Sequence, residues 1–170
     1  MKYWVVAAIL LFNFIVQSAI LPFLRIAGIQ PDTLMVPVTC FGLLGGTGYG
    51  TFTGLAGGLL QDILYGSPVG LNGLHYMVIG FLTGLLCERI FTGRFIIPTF
   101  IVFCASLLRG LMMLGYLYFT RAPISLDFGF TLVILPEALY TAVFMPIAFY
   151  LMSLLFQYRF MKKKWQFRRR

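Results

Sequence analysis

The chain has 170 residues, 60% of them hydrophobic, 17% aromatic and only 11% charged, with a mean hydropathy of +0.92. A water-soluble domain carries about 25% charged residues, so a soluble fold and a disordered chain are both excluded. With ~20 apolar residues needed to cross a ~30 Å hydrocarbon core, this length holds about six transmembrane helices and no soluble catalytic domain.

Hydropathy and helix breakers predict helices over 3–24, 32–44, 47–65, 71–90, 95–119 and 129–156. The first apolar run is longer than the roughly 7 to 15 residues of a signal-peptide core, and five spans follow it, so it reads as an uncleaved span. The second segment has thirteen residues and rises only about 20 Å. It is therefore either a span in a thinned or tilted arrangement or one arm of a re-entrant hairpin with the third. The sixth contains Pro136 and Pro146, where kinks are expected. The fold class is all-α, a polytopic bundle over residues 1–156.

Residues 157–170 form a basic tail. Seven of the thirteen Lys and Arg residues lie there, from Arg159 to Arg170. Basic residues beside a span favour the cytoplasmic side and anionic headgroups. Tyr158, Phe160, Trp165 and Phe167 interleave the charges, a pattern also met in single-strand binders. Positive-inside placement with interfacial aromatics explains the same residues, so anionic lipid is expected and nucleic acid is not. Six spans put both termini inside, with outer connections at 25–31, 66–70 and 120–128; Glu88, Arg89 and Arg94 then also fall inside. Cys40, Cys87 and Cys104 lie in apolar runs without metal-ligand spacing, so they read as free thiols with no metal and no cofactor.

Three features can carry function. The first is a glycine ladder at Gly46, Gly50, Gly54 and Gly58, followed by the pair Gly80 and Gly84. Small residues four apart share a helix face and let a second backbone approach closely, either within the chain or from a partner helix. The second is a set of ionisable residues inside the predicted spans. Counted from the helix entries, Asp62, His75, Arg109 and Glu137 all lie ~6 to 12 Å below the outer edge of the core. Charges at that depth must face the bundle interior and pair. Arg109 has two candidate carboxylate partners, Asp62 and Glu137. This polar cluster reads as a clamp between helices, with an outward-opening ligand pocket and a proton relay as other readings. The third is the stretch from Asp62 through Gly66, Ser67, Pro68 and Gly70 to Leu71, an outer turn, with Asn72 expected to cap the fourth helix. Neither a catalytic set nor a nucleotide motif is present in the sequence, so no enzyme is expected.

The run from Gly48 to Leu71, with its glycine-rich helix ending in Asp62 and the turn after it, resembles the hallmark of the MreD family of rod shape-determining membrane proteins. Gln30-Pro31-Asp32 resembles that family's entry to helix two. The resemblance implies a non-enzymatic scaffold in the bacterial cytoplasmic membrane. Its expected partners are MreC directly, and MreB, a RodA-type glycosyltransferase and a class B penicillin-binding transpeptidase indirectly. The shared role is lateral peptidoglycan synthesis and cell shape. Gly50, Gly54, Gly58, Asp62, Gly66, Pro68 and Gly70 are then the candidate contact residues. The family is also similar in fold to the substrate-binding subunits of energy-coupling-factor transporters, so a vitamin-type transport subunit is the alternative function.

Overall fold

The computed structural model describes residues 3–19, 21–24, 29–66, 68, 70–86, 96–120 and 133–157. Within them lie six α-helices and no β-strand: α1 (Tyr3–Ala19), α2 (Met35–Gly45), α3 (Thr47–Tyr65), α4 (Leu71–Leu86), α5 (Ile96–Phe119) and α6 (Leu135–Gln157). The basic tail beyond Gln157, Cys87, the connection holding Glu88, Arg89 and Arg94, and most of the connection after α5 lie outside the described residues.

The main departures from the expected boundaries are local. The first helix stops at Ala19, and Leu21–Leu24 continue as a 3₁₀ turn. Pro22 cannot donate a helical hydrogen bond and disfavours helix in the residue before it. The second helix starts three residues later than expected, at Met35, whose N–H donates to Asp32 Oδ1 at 3.2 Å. Of the sixth, residues 129–132 lie outside the described residues, 133–134 are a π-helical turn, and the α-helix runs from Leu135 with Pro136 as its second residue. Of the two prolines expected to interrupt this helix, only Pro146 is interior.

Helix α2 is the centre of the molecule. Ten of its eleven residues are buried, and α3, α4, α5 and α6 all pack on it. A helix apolar on every side belongs in a core. Its eleven residues rise only about 16 Å, too little to cross the hydrocarbon, so its ends are covered by neighbouring helices rather than by water. Phe41, Leu34 and Val38 from this region meet Tyr76 and Ile79 of α4, Val102 of α5 and Met145 of α6 in one apolar core. The outer surface is apolar too, with Phe12, Phe100, Phe119, Val143 and Ile147 all exposed. Helices α5 and α6 are long and apolar enough to cross a membrane, while α1, α2 and α4 are shorter apolar helices. Three interior hydroxyls follow the rule for a dry solvent, in which a polar group is satisfied by an internal partner. Thr39, Thr53 and Thr83 donate back to the carbonyls of Met35, Tyr49 and Ile79 at 2.8, 2.7 and 2.9 Å.

Candidate functional site

The glycine ladder is consumed inside the chain. Helices α3 and α4 run antiparallel with their backbones in contact, and each step of four along α3 meets a step of four back along α4. A Cβ on Gly50 would overlap the carbonyl of Gly80, one on Gly54 the carbonyl of Tyr76, and one on Gly58 the backbone of Asn72 and Gly73. From the other side, a Cβ on Gly80 would strike the Gly50 carbonyl, and one on Gly84 the backbone of Thr47. The ladder and the second glycine pair are thus two halves of one seam. Gly46 stands at its end, with its carbonyl carbon 2.9 Å from the Cβ position of Gly84. With φ 89° it is the one-residue joint between α2 and α3, a backbone state that L side chains avoid. Gly42 of α2, which the four-residue spacing did not include, closes on the same point: its Cα lies 2.8 Å from the Cβ position of Gly50. Three helices therefore converge where no side chain fits.

The outer turn is built around Asp62. This carboxylate is fully buried and accepts from the Gly70 N–H at 2.8 Å, the Asn72 N–H at 3.3 Å, the Gly73 N–H at 3.3 Å and the Asn72 side-chain amide at 2.8 Å. Asn72 and Gly73 belong to the first turn of α4 and Gly70 immediately precedes it, where the backbone N–H groups have no intrahelical acceptor. A carboxylate there also complements the positive end of the helix dipole. The cap expected from Asn72 therefore comes from Asp62, ten residues earlier, and Asn72 steadies that carboxylate instead. Gly66 and Gly70 take φ values of 67° and 99°, which makes glycine the residue the reversal needs at both points. Pro68 and Gly66 are exposed at its tip.

The ionic cluster forms, but with a different membership. Arg109 on α5 donates through Nη2 to Glu137 on α6. Its second carboxylate is not Asp62 but Asp32: Nε lies 3.0 Å from Asp32 Oδ2, a charge contact without hydrogen-bond alignment. Asp62 is occupied by the turn. Asp32 is almost wholly buried and also accepts from the Tyr76 hydroxyl at 2.6 Å. The guanidinium stacks over the Tyr76 ring, 5.7 Å from its centroid. The Asp32 N–H donates to Thr141 Oγ1 at 3.0 Å, and that hydroxyl donates to the Glu137 carbonyl at 2.8 Å. The start of α2 is tied in this way to α4, α5 and α6 at once. His75 stands beside Tyr76 in the sequence and is buried, yet its Nδ1 has no hydrogen-bond partner among the described residues. It does not join the network through a hydrogen bond.

Chemically the arrangement is a clamp. A guanidinium offers five donors in a fixed fork and can satisfy two carboxylates, and separating either carboxylate from it inside lipid is costly. Among the described residues, no three His, Cys, Asp or Glu side chains are grouped to hold a metal. Cys40 and Cys104 are free thiols, the first buried and the second exposed.

No curated protein matches the chain. No solved structure matches it either, so the expected likeness to energy-coupling-factor subunits, and the transport alternative that rested on it, have no support. A family model does match. It is described as rod shape-determining protein MreD and covers residues 1–159, which takes in all six helices. The chain therefore belongs to the MreD family of rod shape-determining membrane proteins.

Proposed function

We propose that the protein is a non-enzymatic, multi-pass scaffold of the bacterial cytoplasmic membrane that binds MreC and supports lateral peptidoglycan synthesis. On this reading both termini are cytoplasmic and the basic tail lies on anionic lipid. MreB, a RodA-type glycosyltransferase and a class B penicillin-binding transpeptidase are reached through MreC. The single observation that carries the proposal is the family match across the whole bundle. The internal chemistry agrees with it. Asp62 and the pair Asp32 and Glu137 are engaged by the turn of α4 and by Arg109, as suits a body that presents surfaces rather than converts a substrate.

The test is depletion of the native protein in its rod-shaped host, with the intact chain supplied in trans. Rods restored together with recovery of MreC on the tagged chain are the expected result. Cells that stay round while the chain accumulates in the membrane, or a purified chain free of MreC, would overturn it.

A further inference from the structure

The clamp does not balance its own charge. Arg109 is the one Lys or Arg side chain among the described residues, and two carboxyl groups reach it, Asp32 at Nε and Glu137 at Nη2. The other groups around Glu137 add no positive charge. Tyr76 on α4 is a phenol that donates to Asp32, and Tyr140, one turn along α6, is a second phenol; both are neutral at ordinary pH. His75 on α4 is buried with no partner for Nδ1 among the described residues, whereas an imidazolium has two N–H groups to satisfy. Asp62 on α3 is already met by three backbone N–H groups and the Asn72 amide. With both of its carboxyls ionised, the clamp therefore carries one net negative charge, which is costly inside lipid. Two carboxyls that share a site resolve this conflict when one of them keeps its proton.

The two carboxyls are not equal candidates for it. The Asp32 side chain is 1% exposed and accepts from the Tyr76 hydroxyl at 2.6 Å and the Met35 N–H at 3.2 Å, in addition to its contact with Arg109. Donors on both oxygens favour the anion. Glu137 accepts from Arg109 through Oε1, and no donor meets its other oxygen among the described residues. Its side chain is 19% exposed, in the first turn of α6, so water can reach it. We infer that the clamp is a one-proton site, closed when Glu137 Oε2 carries the proton. Arg109 then balances Asp32 one to one and keeps its hydrogen bond to the carbonyl oxygen of the Glu137 acid. Loss of the proton to water leaves the uncompensated negative charge. An unfolded chain ionises the same carboxyl, so the folded form binds one proton more and loses stability as pH rises. Nothing in this step depends on which partner the scaffold binds.

The test is infrared spectroscopy of the full chain purified in detergent at neutral pH, where an exposed glutamate is a carboxylate. The expected result is a C=O band of a protonated carboxyl that moves when the glutamate carboxyls are isotope-labelled. Glu137→Gln should abolish the band, while His75→Gln and Glu88→Gln, which removes the other glutamate of the chain, should keep it. The thermal midpoint of the native chain should fall as pH is raised above neutral, and Glu137→Gln should lose most of that slope. A band that moves with labelled aspartate instead would put the proton on Asp32 and overturn the assignment. A folded native chain with no such band, as a second cation in the clamp would require, would overturn the one-proton site altogether.

Discussion

The α3–α4 hairpin and the α5–α6 pair solve the same problem by different means. Lipid supplies no hydrophobic drive between helices, so association must come from close packing or from polar contacts. The hairpin uses packing: Gly50, Gly54, Gly58 and Gly80 remove every side chain from the seam, and backbones touch. The α5–α6 pair uses charge, through Arg109 and Glu137, and extends it through Asp32 to the start of α2. The first device tolerates no added volume. The second tolerates no unpaired charge. Mutations should therefore separate the two regions by kind as well as by size.

The largest effect is expected at the seam. Gly54→Leu drives a side chain into the Tyr76 carbonyl, which is backbone and cannot move aside. Overpacking of a flexible core costs about 1–3 kcal/mol, and here the loss should exceed that range. Size-exclusion chromatography in detergent should show no monodisperse protein. Arg109→Leu comes next. It strands Asp32 and Glu137 as two buried carboxylates, and breaking such a pair costs about 3–5 kcal/mol, read as a lower thermal midpoint in detergent. Asp62→Ala should cost roughly 1–2 kcal/mol, the scale of a lost helix cap, and hydrogen exchange should rise at Gly70, Asn72 and Gly73 ahead of the rest of α4. The smallest effect has the opposite sign. Gly115 on α5 has open space at its Cβ position, so Gly115→Ala should stabilise the helix by up to about 1 kcal/mol. A destabilised Gly115→Ala would contradict the open space at that position.

The hairpin was legible in the sequence because its signals are local. Glycines four apart define a face, and Gly66, Pro68 and Gly70 mark a turn; that Asp62 rather than Asn72 caps α4 depends on the fold of that turn and was not legible. The clamp was legible only in part. Depth arithmetic brought Arg109 and Glu137 to one level, but the choice between Asp62 and Asp32 depends on how α5 is rotated, which spacing along one helix does not contain. Asp32 escaped notice because it reads as the first residue of the second helix, at the edge of the bundle. In the structure α2 begins at Met35 and Asp32 is buried, so that edge lies inside the bundle. Gly42 was missed for a related reason, since its reason for being glycine is a contact with another helix and not a repeat in its own.

The central claim is that the polar groups within the membrane close on one another to hold the scaffold together. The most direct measurement compares thermal unfolding in detergent of the native chain, Arg109→Leu, and the combined Asp32→Asn, Arg109→Leu, Glu137→Gln variant. A closed clamp predicts a large loss in the single variant and recovery of more than half of it when both carboxylates are neutralised. An Arg109→Leu protein that melts at or above the native temperature, as a residue held ready for a ligand would allow, would contradict the account.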